Sequence, residues 1–484
     1  MAVLALKNSC KRNGVSKLHG VISQNMWHDL WKGLLLLEVP ISHITNGVHA
    51  TTWLTVEMKN LFIKYCGIEL DEALLKKEVW EKVADIPDEV LWQVHQAAKN
   101  KLFSTIREKI TANWIREGEN PELLEEFLKN LSPSPLVIGF ARRCATYKRS
   151  TLFLKDMDRL KKIILNKRHP VQFVVAGKAH PKDEMAFGLI KEIVKLSKHP
   201  EFLGKIIFVE DYDIKLARRM VSGVDVWLNN SRRPLEACGT SGQKAGMNGV
   251  IHCSSLDGWW DEAYDGENGW AIGDRREYKN AETQDLADSN SLYDLLEEEI
   301  IPEYYARNEA GLPEKWIGRM KASIICAISE FNTHRMVRDY TEKMYIPTAK
   351  RYFGLINEGF QKVQEIADWK RSITARFSSV HINSITVEGA ENLNVGDEIT
   401  LALEINKGRV EKEELSAQMI VFEEKKENLI QVIPLFAVAD DDTTIKYAGK
   451  YKTEKSGKFN YGIRVTPFHP DVDDTADLGL VYWG

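Results

Sequence analysis

An α/β fold, a doubly wound parallel sheet followed by a C-terminal antiparallel β-sandwich, is the class this sequence predicts, and three observations carry the prediction. First, short apolar runs alternate with helical stretches: "LVIGFA" (136–141), "VQFVVAG" (171–177), "KIIFVED" (205–211), "DVWLNNS" (225–231) and "GVIHCSS" (249–255). Strands that are nearly continuously apolar are covered on both faces, which in alternating β/α order means a parallel sheet between helical layers. Second, beyond about residue 375 the apolar period drops to two. Ile399, Leu401, Leu403 and Ile405 alternate with other residues, and Phe459, Tyr461, Ile463 and Val465 do the same. That is the pattern of antiparallel strands with one buried side. Third, 484 residues are too many for one ordinary core, so two or three domains are expected.

The elements follow in chain order. In "NGVSKLHGVISQNMW", Val15, Leu18, Ile22 and Met26 share a helical stripe, and helical periodicity dominates from Leu70 to Arg116. "NPELLEEFLKNLSPSP" adds one more helix and ends in a Pro/Ser breaker, closing a helical segment over 1–130. Residues 131–375 form the doubly wound lobe. "STLFLKDMDRLKKIILN" and "MAFGLIKEIVKLSKH" are its crossover helices, and "YTEKMYIPTAKRYFGLINEGFQKV" supplies trailing ones. Residues 376–484 form the β-sandwich, punctuated by turns at "NVGD" and "KSGK", with "ADDDT" as a solvated acidic loop.

Composition narrows the function classes. The apolar fraction is 44%, the charged fraction 28% and the net charge -5, which speaks against wholesale nucleic-acid binding. Any anion must be held by a local cluster of cations. The six cysteines show no paired spacing, so neither a disulfide framework nor a metal site is expected, and the setting reads as reducing and cytoplasmic. No apolar run has the length of a membrane span, and the amino terminus lacks the order of a signal peptide.

The loops after the strands carry the chemistry. "RRCATYKRS" follows the first strand, with Arg142, Arg143, Lys148 and Arg149 within eight positions. A solvated face is the ordinary fate of such a cluster. This one falls where a helix begins at the carboxyl end of a strand, and helix starts favour anions, phosphate above all. "GKAHPKDE" places Lys178, His180 and Lys182 at the same edge, and "DYDIKLARR" adds Tyr212, equally suited to a core position or to stacking on a planar group. In "RRPLEACGTSGQKAGMNG", Gly239 and Gly242 flank Thr240 and Ser241, offering amides and hydroxyls to an anion. Lys244 lies one turn into the helix these glycines open. Partly desolvated there, a lysine is deprotonated enough to form a Schiff base, although most lysines are simply surface groups.

Together these stretches resemble the α-glucan phosphorylases, which degrade starch, glycogen or maltodextrins. The resemblance rests on "RRPLEACGTSGQKA" (232–245), "LDGWW" (256–260) followed by "NGWAIGD", "NGVSKLHG" (13–20), "ITNGVHATTWL" (44–54), "FARRCATYKR" (140–149), "GKAHPKD" (177–183), "EDYD" (210–213) and "GVDVWLN" (223–229). "RVTPFHPD" and "LGLVYW" resemble the family's end. The resemblance implies a GT-B-type C-terminal lobe and pyridoxal 5′-phosphate held as a Schiff base on Lys244. It implies phosphorolysis of an α-1,4-glucan by inorganic phosphate to α-glucose 1-phosphate, with the cofactor's 5′-phosphate supporting proton transfer. By match, Arg143 and Lys148 hold the substrate phosphate and Arg142 stands near the cofactor phosphate. Trp53 and Tyr212 flank the cofactor ring, Thr240 bonds its phosphate, Gly239 approaches the reacting phosphate, and Asn46 and Glu236 bind glucose hydroxyls.

Cys238 replaces the family's usual serine, Gln243 its methionine, and Asp213 stands where the better-known animal and plant enzymes place an arginine. Met1 falls where the family's second half begins, so a separate N-terminal-lobe polypeptide is a candidate partner for an otherwise incomplete enzyme. Two other readings compete: an inactive remnant or glucan-binding subunit, and a sugar-nucleotide-dependent glucosyltransferase. The last has no use for a tethered aldehyde cofactor.

Overall fold

A computed structural model of the chain describes residues 1–67, 70–357, 359–389, 394–423, 429–454, 456, 458–472 and 475–484. Two compact units emerge: Gly14–His19 with His43–Thr341, and Met1–Asn13 with Gly20–Ser42 and Glu342–Gly484.

In the first unit, α1 (Ala50–Trp53) and α2 (Val56–Cys66) precede the long α3 (Asp88–Glu117). The sheet then begins with β1 (Leu136–Cys144), α4 (Met157–Ile164), β2 (Val171–Ala179), α5 (Glu184–Ser197) and β3 (Ile206–Val209). It continues with α6 (Ile214–Gly223), β4 (Val226–Asn229), α7 (Thr240–Met247), β5 (Ile251–Ser255) and β6 (Gly269–Ile272), and α8 (Glu314–Glu330) follows. Short side chains start several of these helices by accepting from an amide of the first turn. Thr55 accepts from Met58 N, Asp156 from Arg159 N, Asp183 from Ala186 N and Asp213 from Leu216 N. Asp156 also explains why the stretch read as one helix over 150–166 is a short 3₁₀ turn followed by α4.

All strand pairs in the sheet are parallel, in the order β3-β2-β1-β4-β5-β6. Strand alternation sorts the apolar residues onto two buried faces. Ile138, Phe140, Phe173, Val226 and Ile251 pack into one cluster with Trp316 and Met320 of α8. Val137, Val174, Ile207 and Trp227 pack into the other with Leu102, Phe103 and Ile106 of α3. The two-sided burial inferred from sequence is therefore observed. Strand β6 is a four-residue segment of the "NGWAIGD" stretch, to which no element is assigned from the sequence.

Chain direction reverses its neighbour order at β1, which pairs with β2 on one side and β4 on the other. Loops leaving β1 and β4 at their carboxyl ends thus diverge around a crevice, the place where open α/β sheets seat ligands. At the opposite ends, a buried network locks the two strands. Asp225 accepts from Val137 N at 2.8 Å, pairs with His95 Nε2 at 2.8 Å and receives Lys99 Nζ, which also donates to Pro135 O and Tyr304 Oη.

In the second unit, α9 (Gln361–Arg376) precedes an antiparallel sheet. Its strands are β7 (His381–Glu388), β8 (Glu398–Asn406), β9 (Leu415–Glu423), β10 (Leu429–Asp440), β11 (Thr444–Lys452), β12 (Phe459–Pro467) and β13 (Tyr482–Trp483). The order is β13-β12-β9-β10-β11-β8-β7. β10 pairs with β9 along its first half and with β11 along its second. Ile399, Leu401, Leu403 and Ile405 are buried as the period predicts. Ile463 and Val465 are buried too, but Tyr461 is 44% exposed and lies outside that core. Lys455 and Gly457 of the "KSGK" turn lie outside the described residues. No helix among the described residues is long and apolar enough to cross a membrane.

Candidate active site

At the carboxyl end of β1, Arg142 and Arg143 point to opposite faces. Arg142 is buried, and its Nη2 donates to Glu236 Oε2 at 2.7 Å. Lys148, buried in the turn that follows, donates to the same carboxylate oxygen. Arg142 Nη1 is buried with no hydrogen-bond partner. Burial pulls the Arg142 pKa down against the opposing pull of Glu236. Arg143 is exposed, and its side chain makes no ion pair among the described residues. The structure therefore gathers Arg142, Lys148 and Glu236, and leaves Arg143 at the rim.

Arg149 separates from the cluster read in the sequence. Its φ of 51° turns the chain into the left-handed region. Its guanidinium is spent on Asp285 at 3.1 Å, Asp288 at 2.7 Å and the carbonyls of Asn230 and Ser231. Arg149 braces the loops of β1 and β4 and has little left to offer an anion. Lys178 and His180 face solvent, and His180 Nδ1 accepts from Lys182 N at 3.2 Å.

Gly239 precedes α7 with φ +80°, a backbone that L side chains rarely adopt, and no side chain caps the helix. A Cβ built there would lie 3.4 Å from Glu236 Cγ, so the uncapped helix start stands beside the cation cluster. Helix starts carry unpaired amides and partial positive charge. Gly242 is fixed by a different constraint: a Cβ there would sit 2.5 Å from the His252 ring. Burial, then the field of Arg142, holds the His252 pKa down at about 3, so this imidazole is a neutral wall.

Lys244 follows one turn later. Its Nζ lies 3.8 Å from the centroid of the Trp53 ring, and burial lowers its pKa with no carboxylate opposing. Asn248 secures that stack. Its Nδ2 donates to Trp53 O at 3.0 Å and to Lys244 O at 2.9 Å, while its Oδ1 accepts from Thr55 N at 3.1 Å. Tyr212 packs on the same apolar cluster as Trp53, and burial pushes its pKa up to about 12, against the lowering field of Arg142. Thr240 is the first residue of α7 and is half-buried.

Gln243, fully buried, donates to Asn46 O at 2.9 Å and so ties the loop of Asn46 to α7. Cys238 is buried, and burial raises its thiol pKa to about 12. Asp213 is spent on capping α6. Sequence reasoning missed Asn248 and Asp257. Asp257 accepts from Glu236 N at 3.0 Å and Gly258 N at 2.9 Å, and burial pushes its pKa up to about 7. The signal available for Asn248 was its place four residues after Lys244, and for Asp257 its place just past a strand end.

Comparison with known proteins bears on this arrangement. Residues 1–265 match the family profile described as carbohydrate phosphorylase. The chain belongs to that family. Residues 377–484 match the profile described as the glycogen phosphorylase C-terminal domain. The maltodextrin phosphorylase of Thermococcus litoralis is 39% identical over 100% of this chain and 57% of its own length. The glycogen phosphorylase of Aquifex aeolicus is 45% identical over 71% of this chain and 49% of its own. That of Mycobacterium tuberculosis is 33% identical over 99% of this chain and 56% of its own. The chain thus spans about half the length of these carbohydrate phosphorylases.

Proposed function

We propose that this carbohydrate phosphorylase chain takes part in phosphorolysis of an α-1,4-glucan, with pyridoxal 5′-phosphate on Lys244. The residues fit that cofactor on three counts. Lys244 is desolvated without a counter-charge, which favours the neutral amine that attacks an aldehyde. Trp53 offers a flat apolar wall beside it. An uncapped helix start and an orphaned buried guanidinium N–H on Arg142 supply donors for a phosphate. The Lys244–Trp53 stack carries the reading. When bound, the cofactor supplies a second phosphate group beside the substrate phosphate, able to exchange a proton with it.

The chain's own residues do the rest. Arg142 and Lys148 neutralise phosphate charge, without which two dianions at ~4 Å repel by on the order of ten kcal/mol at intermediate dielectric. Arg143, at the rim, is assigned to the substrate phosphate by its match alone. Asn46 and Glu236 orient hydroxyls of the terminal glucose, and the Gly239 backbone lies against the reacting phosphate. In the reaction the glycosidic C1–O bond breaks, a new C1–O bond forms to inorganic phosphate, and the phosphate proton passes to the leaving glucan oxygen. On this reading 131–375 is the phosphate- and cofactor-holding lobe of a GT-B-type enzyme, flanked by 1–130 and by a β-sandwich over 376–484, and it works in the cytoplasm.

Treating the chain with pyridoxal 5′-phosphate and then borohydride should leave a single pyridoxyl peptide, the one containing Lys244. Lys244→Ala should lose that label entirely while melting within about 1 kcal/mol of the parent, since the lysine's stack is worth about that much. Label on other lysines only would overturn the assignment. Release of glucose 1-phosphate from maltoheptaose, by this chain alone and with a relative's amino-terminal half added, tests the activity.

A further inference from the structure

Glu236 is the one feature of the cluster that fits poorly with a fixed phosphate site. Its Oε2 lies where the two cations converge, within bonding reach of Arg142 Nη2 and Lys148 Nζ together. Arg142 and Lys148 are each 8% exposed, and among the described residues no other carboxylate pairs with either. Two buried cations share one anion, so the nook carries a net positive charge, and Arg142 Nη1 is still without a partner. A phosphate entering that nook meets the carboxylate already in place. Both cannot stay, because a carboxylate and a phosphate in contact repel while competing for the same donors.

We propose that Glu236 is an exchangeable counter-ion that the substrate phosphate displaces, and that the displaced carboxylate is what then receives the sugar hydroxyls. The inference rests on the reading that this cluster takes a phosphate. The geometry allows the exchange. The Glu236 backbone is anchored through its amide to Asp257 Oδ2 at 3.0 Å, so the main chain stays while the arm moves. Beside the arm lies Gly239, whose missing side chain leaves the space next to Cγ open. Asp257 itself, its pKa pushed up to about 7 by burial, is mostly protonated below neutrality, so there it does not press a full second negative charge on the arm. Until phosphate arrives, the two cations keep the carboxylate away from sugar. Once it arrives, the carboxylate is released. The two substrates are thereby coupled through one side chain, and the coupling must be reciprocal.

The test is calorimetric titration of the full chain, loaded with pyridoxal 5′-phosphate, with inorganic phosphate, for the parent, Glu236→Gln and Lys148→Ala. Exchange predicts that Glu236→Gln binds phosphate about tenfold more tightly, because the resident competitor has lost its charge. Equal or weaker binding by folded Glu236→Gln, with the parent still binding, overturns the exchange and leaves the functional reading standing. No binding by any of the proteins overturns the reading beneath it. Lys148→Ala should bind at least tenfold more weakly than the parent. Should Glu236→Gln fail to fold, a crystal structure of the parent with phosphate decides. Phosphate on Arg142 and Lys148 with Glu236 Oε2 beyond bonding distance of Lys148 supports the exchange, and phosphate with Glu236 still in place refutes it.

Discussion

The two ends of the β1–β4 pair hold comparable charge and treat it differently. At the amino ends, Asp225 is met by Lys99, His95 and Val137 N, and Lys99 passes its remaining donors to Pro135 O and Tyr304 Oη. Only His95 Nδ1 lacks a partner in that network. At the carboxyl ends, two cations share a single carboxylate, one guanidinium nitrogen has no partner, and a helix starts uncapped beside them. Closed networks of buried charge hold strands together. Open ones are the first places to look for a ligand.

The comparison breaks most readily at its closed end. Asp225→Ala would strand Lys99 and His95 in the interior, and urea unfolding should register a loss of about 3–5 kcal/mol. A loss under 1 kcal/mol would mean the network is dispensable.

A second effect comes from pH. Burial raises the Asp257 carboxyl to about 7, well above its unfolded value, so the native chain holds a proton the unfolded one has released. The stabilisation this brings is complete below the unfolded pKa and fades as pH rises through about 7. Melting temperature measured for the parent against Asp257→Asn should therefore show the parent's relative stability falling from mildly acid to neutral pH and levelling off above. A flat difference would remove Asp257 from the account.

The smallest effect sharpens the open end. Asn248→Ala should cost about 1–2 kcal/mol for its buried hydrogen bonds. It should also slow capture of pyridoxal 5′-phosphate by Lys244, followed by absorbance, because the Trp53 wall is no longer fixed. Unchanged capture would show that the clasp is only structural.

Much of the lobe was legible because its strands advertise two-sided burial and its helices begin at Asp or Thr. The helix start at Asp156 was not legible, because the apolar spacing of 150–166 runs through the 3₁₀ turn before it. The reversal at β1 is a long-range pairing that no local pattern encodes. The short β6 was not legible either, since four residues carry no periodicity. At the candidate site, Lys244, Trp53 and Glu236 were singled out through the family resemblance, and the structure stacks the first two and sets the third between Arg142 and Lys148. The split fates of Arg142, Arg143 and Arg149 were not legible. Strand alternation sends the first two to opposite faces, and a left-handed turn at the third hands it to Asp285 and Asp288. Four cations within eight positions look alike until the backbone aims them.

Gln243 and Lys244 are adjacent on one short helix, and Gln243 grips Asn46 from within the fold. The loop of Asn46 is therefore tied by one bond to the same rod that carries the lysine. A shift of that helix would pull on the Asn46 carbonyl, and a change in the loop would be felt one residue from Lys244. A methionine at 243 would lack the amide and free the Asn46 carbonyl, while Val15 O and Phe331 O would still hold the amides of Asn46 and Val48.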